Sequence, residues 1–397
     1  MDMSGVADRI GWAVSGIEVE LPSWGFANAG TRFRVFPQPG VPRTPFEKVD
    51  DAATIARFTG VARRIGLHIP WDRVDDFAAF ARYARERGVL IGGINSNTFQ
   101  DDGYQLGSLC HPSSAIRAKA IDAIVECCAI ARETGSGIVK VWLADGTNYP
   151  GQDDFRSRRR RLVGGLREVY RALPDGVRLL LEYKLYEPGF YHTDIADWGV
   201  AMSLCQELGE AAMVCVDIGH HAPTTNIEHI VASLLGAGRL GGFDLNDKKY
   251  GDDDLMVGSI DPYQLFRICH ELVGARSDTT DPVASLCAAN VVYMLDQSHN
   301  IEPKMPALIA SVMALQAAMA KALLVDRAAL ELAQGAGDVL EANRILRDAF
   351  DADVRPSLAQ GRVAAGLPAD PYASYLESGL EQRRASERVG GTGASWA

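Results

Sequence analysis

The sequence predicts an α/β protein: a closed (β/α)8 barrel of the TIM type with a C-terminal α-helical extension. Eight short apolar runs alternate with longer amphipathic stretches along the first three quarters of the chain. The runs lack strict alternation of polar and apolar residues, which is typical of parallel strands covered on both faces. A doubly wound nucleotide-binding sheet is the alternative, but its GxGxxG fingerprint does not occur in the chain.

The predicted elements follow one another in barrel order. Strands are predicted at 31–36, 64–69, 89–95, 137–142, 178–183, 212–217, 239–245 and 291–296. Helices are predicted at 46–59, 74–88, 113–134, 154–172, 195–208, 226–236 and 261–274. Three of these helices carry clear start signals, which are Asp75 with Asp76, Pro112 with Ser113, and Asp261 with Pro262.

The pattern changes near residue 305, where the chain becomes rich in Ala and Leu and loses its strand candidates. We therefore expect residues 1–304 to form the catalytic barrel with its N-terminal segment. Residues 305–397 would supply the last barrel helix and a helical extension that contacts other subunits. An apolar extension of this kind favours a homo-oligomer.

Composition excludes several classes of protein. The 397 residues carry a formal net charge of −11, which opposes a nucleic-acid-binding role because such proteins need a basic face. We find no basic and apolar signal segment at the N-terminus and expect no membrane association. The seven cysteines are odd in number and lie in apolar stretches, so we expect free thiols and a cytoplasmic protein.

Charged side chains stand where the predicted strands end, which is where barrel enzymes place their active sites. The later strands end with Glu182 and Lys184, Asp217 and His220, Asp244, and Asp296. A single such Asp is as readily explained by helix capping. Four carboxylates that converge on one barrel mouth, however, repel each other unless a cation lies between them.

The loop after the seventh strand strengthens this prediction. Asp252 and Asp254 form a D-x-D pair that would point two side chains the same way in an extended segment, although a solvated acidic loop is the alternative. His220 can add one nitrogen ligand, whereas His221 is expected to be structural. An oxygen-rich set favours Mn²⁺, with Mg²⁺ or Co²⁺ as alternatives, over structural Zn²⁺. Seven ligands predict two ions bridged by Asp217.

These motifs resemble the two-metal site of the xylose isomerase-like TIM-barrel superfamily. The motifs are EYK, DIGHH, the run from Asp244 to Asp254, and the Asp of MLDQSHN. Longer strings, such as LHIPWD, INSNTFQDD, DGTNYPGQDD and YGDDDLMVGSIDPYQLFRI, are closer to L-rhamnose isomerases, and the ERVGGT tail is similar to their actinobacterial-type branch.

The resemblance implies a site and an activity, the interconversion of L-rhamnose and L-rhamnulose by a metal-assisted hydride shift. One metal would bind Glu182, Asp217, Asp244 and Asp296, and a second would bind Asp217, His220, Asp252 and Asp254. The catalytic residues would be His68, Asp72, Lys184 and Asp296. Asp72 would orient His68, whose pKa is expected in the neutral range, so that His68 can open the sugar ring as an acid and base. The substrate would contact Trp71, Phe99, Trp142 and Ser298. Some relatives carry His in place of Asp244, so the metal preference of the first site stays open.

Other functions remain as alternatives to an L-rhamnose isomerase that acts as a homotetramer. A ketose 3-epimerase, or an isomerase of L-lyxose, L-mannose or D-allose, would use the same fold. A metal-dependent phosphodiesterase would need more His ligands and a basic face. A sugar-binding protein without activity would not need His68, Lys184 and two metals at one mouth.

Overall fold

Eight parallel strands close into a barrel, which confirms the predicted fold class. The computed structural model describes residues 10–28, 36–187, 191–298 and 301–389. The barrel strands, in chain order, are β1 Val19–Pro22, β2 Arg64–Ile69, β3 Leu90–Ser96, β4 Ile138–Trp142, β5 Arg178–Glu182, β6 Ala212–Asp217, β7 Leu240–Leu245 and β8 Val292–Leu295. Each pairs with its neighbours in sequence, and β1 closes the barrel by pairing with β8.

The first strand differs from the sequence prediction. Most of the predicted strand 31–36 lies outside the described residues, and the first place in the barrel is taken by Val19–Pro22. That strand is hard to recognise because Glu18 and Glu20 interrupt its apolar residues and a proline ends it. The other seven strands are confirmed within one or two residues.

Helices cover the outside of the barrel. They are α1 Pro45–Thr59, α2 Phe77–Glu86, α3 Ser114–Thr134, α4 Phe155–Ala172, α5 Trp198–Leu208, α6 Ile227–Gly236, α7 Pro262–Ser277 and the unpredicted short helix α8 Pro282–Ala289. Asp76 and Asp261 cap α2 and α7 with their side chains, so those predicted start signals are confirmed.

The C-terminal region is helical, as predicted. Helix α9, Lys304–Leu323, completes the barrel, and α10 Arg327–Gly335, α11 Val339–Asp351, α12 Arg355–Ala364, α13 Pro371–Glu377 and α14 Leu380–Glu387 follow it. By length and composition α9 alone among the described helices could cross a membrane, but 67% of its most apolar window is buried in the fold, which is typical of a core helix. All seven cysteines are buried free thiols, as predicted.

Candidate active site at the carboxyl end of the barrel

A cavity of about 570 Å³ opens at the carboxyl ends of the strands. Most of the described residues that line it are charged, polar or aromatic. Among them are Trp24, His68, Phe99, Lys140, Trp142, Glu182, Lys184, Glu187, His220, Asp244, Asp252, Asp254, Asp296 and Ser298. Of the predicted site residues, Trp71, Asp72 and Asp217 are not among the lining residues. Trp71 and Asp217 contact side chains that line the cavity, and Asp72 bonds to the main chain of His68.

Strand register explains why four carboxylates meet in this cavity. Asp217 and Asp244 are direct partners across β6 and β7, and Glu182 ends β5 on the other side of β6. The main-chain N–H of Asp296 donates to the carbonyl of Leu245 at 2.8 Å, which fixes the end of β8 beside β7. Oxygens of Glu182, Asp217, Asp244 and Asp296 all lie within 4.8 Å of one another.

Electrostatics inside this four-carboxylate cluster are unfavourable without a cation. Burial, reinforced by the charge of Asp244, raises the pKa of Glu182 well above its usual range. Burial and the charges of Asp244 and Asp217 raise the pKa of Asp296 to about 7. Burial also raises the pKa of Asp217, whose carboxylate accepts the Gly219 N–H at 2.6 Å. The cluster therefore retains protons that a divalent metal would displace.

His220 and Asp252 form a second group beside the cluster. His220 Nε2 lies 3.0 Å from an Asp252 oxygen and 3.9 Å from an Asp217 oxygen. Burial alone would lower the pKa of His220, but the carboxylates of Asp217 and Asp252 raise it. Lys184 Nζ donates to Asp252 and to Glu187, both at 2.6 Å. Burial alone would raise the pKa of Asp252, but its bonds to His220 and Lys184 lower it.

The D-x-D pair reaches the cavity by a different backbone path from the predicted one. Asp252 and Asp254 have φ angles of 54° and 46°, so the segment is not extended. Both side chains nevertheless line the cavity. Burial and the charges of Asp252 and Asp296 raise the pKa of Asp254 well above its usual range. The prediction of a shared location is confirmed, whereas the reason given for it is wrong.

His68 lies in the cavity wall on β2. Its main-chain N–H donates to Asp72 at 2.7 Å, and Asp72 also forms an ion pair with Lys48 at 2.6 Å. Asp72 thus holds the His68 backbone in place. The expected neutral-range pKa is wrong, because burial lowers the pKa of His68 to about 3. His221 is structural, as predicted, with its Nε2 at 2.7 Å from the Tyr183 hydroxyl.

Aromatic rings surround His68. Trp71 and Phe99 contact its ring edge-on at centroid distances of 4.8 and 5.8 Å. Phe99 lies 4.8 Å from the Trp142 ring, and Lys184 Nζ lies 5.1 Å from the centre of that ring. Phe99 and Trp142 therefore form an apolar wall of the cavity, while Trp71 contacts His68 and does not line the cavity.

Sequence reasoning missed several residues of the site, among them Glu187, which pairs with Lys184, and Trp24 and Lys140. Trp24 follows the unpredicted strand β1, and its ring N–H donates to Asp296 at 2.7 Å. Lys140, in the middle of β4, forms an ion pair with Asp244. The sequence did offer a signal for Lys140, because it is a lysine inside a predicted apolar strand.

The donor set fits divalent cations. It offers clustered carboxylate oxygens and one imidazole, and the proximity of its charges calls for positive counter-charge. Glu182, Asp217, Asp244 and Asp296 form one compact set, and His220 joins Glu182 and Asp217 in an overlapping set. Glu182 and Asp217 belong to both sets, so the geometry does not single out Asp217 as the bridge, and Asp252 and Asp254, which were predicted for the second metal, are in neither set.

Comparisons with known proteins agree with this description. Residues 49–271 match the family described as xylose isomerase-like TIM barrel. A protein of Rhizobium meliloti named a "probable sugar isomerase" is 43% identical over 96% of this chain and 88% of its own length. A protein of the same description from Mesorhizobium japonicum is 42% identical over 100% of this chain and 92% of its own. The xylose isomerase of Thermus thermophilus is 25% identical over 48% of this chain and 51% of its own.

Solved structures support the fold. A xylose isomerase domain protein from Alicyclobacillus acidocaldarius superposes with a TM-score of 0.52 at 13% identity, covering 77% of this chain and 99% of its own. A D-psicose 3-epimerase superposes with a TM-score of 0.50 at 14% identity, covering 78% of this chain and 98% of its own.

Proposed function

Because the chain belongs to the xylose isomerase-like TIM barrel family, we propose that it is a metal-dependent aldose–ketose isomerase that interconverts L-rhamnose and L-rhamnulose. The names of its relatives in Rhizobium and Mesorhizobium support a sugar isomerase. The choice of L-rhamnose depends on the sequence motifs alone. The observation that carries the proposal is one cavity that combines the four-carboxylate cluster with Lys184 and His68.

Two divalent cations would occupy the site, with Mn²⁺ as the first candidate and Mg²⁺ or Co²⁺ as alternatives. Glu182, Asp217, Asp244 and Asp296 would hold one. Asp217, His220, Asp252 and Asp254 would hold the other. When bound, the metals polarise the hydroxyl and carbonyl oxygens of the sugar as Lewis acids.

The side chains around the metals would perform the remaining steps. His68 would accept the proton of the anomeric hydroxyl and return it to the ring oxygen as the sugar ring opens. Burial lowers the pKa of His68 to about 3, which keeps its imidazole neutral at physiological pH but makes it a weak base. Lys184 would place a positive charge beside the carbonyl oxygen that becomes negative during hydride transfer. The rings of Phe99 and Trp142 would exclude water from the migrating hydrogen.

Substrate contacts and assembly complete the proposal. Ser298 lines the cavity beside Asp254, to whose carbonyl its main-chain N–H donates at 3.3 Å, so its hydroxyl can reach a sugar oxygen. We expect a homotetramer, since the C-terminal extension exposes apolar side chains such as Leu332 at 75% and Leu340 at 84%. Light scattering of the purified protein would measure its mass.

The test is a panel of sugars assayed with Mn²⁺ and with a chelator. We expect the highest kcat/KM with L-rhamnose, lower values with L-lyxose, L-mannose and D-allose, and loss of turnover with the chelator. A protein that converts ketoses into their C3 epimers and leaves every aldose unchanged would be a ketose 3-epimerase instead, and the isomerase proposal would fail.

A further inference from the structure

Lys140 brings a positive charge into the core of the barrel, directly below the proposed metal site. It lies in the middle of β4, beside Leu180 of β5, and is 4% exposed. Its Nζ forms an ion pair with Asp244 and lies 3.6 Å from the Met294 sulfur. The lysine therefore binds one member of the four-carboxylate cluster from the side opposite the barrel mouth.

A second buried acid, Glu20, also feels the charge of Lys140, which acts to lower the pKa of Glu20, but no hydrogen bond joins the two side chains among the described residues. One Glu20 oxygen accepts the Gly93 N–H at 2.9 Å, and the other has no hydrogen-bond partner among the described residues. Gly92 leaves room for this carboxylate, because a Cβ at residue 92 would lie 2.3 Å from the Glu20 side chain and would displace it. Burial raises the pKa of Glu20, so this group carries less negative charge than an ordinary carboxylate. The hydrogen bond of Lys140 Nζ is directed to Asp244 instead.

Asp244 consequently serves two cations. The lysine already neutralises part of the charge that would attract a metal, and two positive charges that share a buried carboxylate repel each other. The same lysine compensates the cluster when metal is absent, because an uncompensated buried carboxylate is strongly destabilising. A fixed ammonium group should therefore stabilise the metal-free barrel and weaken metal binding.

We propose that Lys140 is an internal counter-ion that sets the affinity of the four-carboxylate cluster for its divalent cation. This inference rests on the proposed function, since it concerns the same metal site. Lys140 keeps the cluster assembled without metal and leaves the bound metal exchangeable. It is a positioning residue that acts through Asp244.

The test compares the affinity of Mn²⁺ for the wild-type chain and for variants in which residue 140 is neutral. Lys140→Met removes the charge and keeps an unbranched side chain. Lys140→Gln removes the charge but retains a hydrogen-bond donor for Asp244. Lys304→Met is the control, because Lys304 is similarly buried, at 5% exposed, but lies at the start of α9, outside the residues that line the cavity.

Mn²⁺ is the only ligand used, and a chelator competition titration yields the affinity without requiring metal-free protein. We expect Lys140→Met and Lys140→Gln to bind Mn²⁺ at least tenfold more tightly than the wild type at one site. Lys304→Met should stay within threefold of the wild type. The rise in melting temperature on adding Mn²⁺ should also be larger in both Lys140 variants.

The outcomes separate this inference from the proposed function. Unchanged or weaker Mn²⁺ binding in both Lys140 variants would overturn the counter-ion role. Weaker binding in Lys140→Met with wild-type binding in Lys140→Gln would show that the lysine only orients Asp244. A wild-type chain that binds neither Mn²⁺ nor other divalent cations would instead overturn the metal-dependent function.

Discussion

Replacing Lys184 with methionine should remove most of the turnover and leave the metals bound. Lys184 is 5% exposed, and its Nζ sits 2.6 Å from both Glu187 and Asp252. A full charge about 4 Å from the sugar's developing oxyanion contributes about 4 kcal/mol at an effective dielectric constant of about 20. The developing charge is partial and two carboxylates already offset the lysine, so about 2–3 kcal/mol is the expected loss, or a roughly 30- to 160-fold fall in kcat.

The assay is the initial rate of ketose formation from L-rhamnose, with bound manganese counted in the same samples. Lys248→Met is the matched control, because Lys248 is half-buried near the site but donates to the carbonyl of His221 and is not among the residues that line the cavity. Its kcat should stay within about threefold. A Lys184→Met enzyme with wild-type kcat and a full complement of manganese would refute the role of the lysine in stabilising the oxyanion.

Three further predictions follow from the site. With an aldose deuterated at C2, the label should appear at C1 of the ketose, because the hydrogen migrates directly between the two carbons and Phe99 and Trp142 shield it from water. Loss of the label to solvent would indicate proton transfer through a base. His68→Asn should lower kcat on the cyclic sugar about 100-fold or more and leave manganese binding unchanged. If the variant lost manganese binding together with turnover, His68 would instead be assigned to metal binding. In the metal-free protein Asp296 keeps its proton up to about pH 7, whereas an unfolded Asp loses it near pH 4. The folded chain thus binds more protons over this interval, and Asp296 should make the metal-free protein less stable as pH rises from about 4 to 7, a trend that denaturant titrations of wild type and Asp296→Asn would detect.

Apolar runs were enough to predict seven of the eight barrel strands, and the acids at their ends predicted the cavity. Asp217 and Asp244 could be placed together because the ends of parallel strands share one edge of the barrel. Strand β1 could not be predicted, because Glu20 within it and Glu18 just before it give a polar pattern to a strand whose residues are all buried. Trp24 was missed with that strand, because only the closing pair between β1 and β8 brings it to Asp296.

The pKa of His68 and the role of Lys140 depend on burial depth, which sequence spacing does not specify. A histidine at a strand end can be open to water or enclosed, and here the rings of Trp24, Trp71 and Phe99 enclose it. Lys140 looks like a polar interruption of an apolar strand until the register places it beneath Asp244.

Lys140 also changes the charge balance of the site. The six carboxylates of the predicted ligand set are Glu182, Asp217, Asp244, Asp252, Asp254 and Asp296. From the sequence, Lys184 was the only lysine set against them. Lys140 adds a second lysine, and Glu187, which pairs with Lys184, adds a further acid to the cavity, so the two lysines offset only part of the negative charge and two divalent cations would offset most of the rest. Both lysines are buried, so their charges are weakly screened and enter this balance nearly in full. The barrel core can therefore hold six acids because two lysines are part of the fold and two metals would supply most of the remaining charge. A neutral side chain at residue 140 should accordingly make folding more dependent on metal than it is in the wild type.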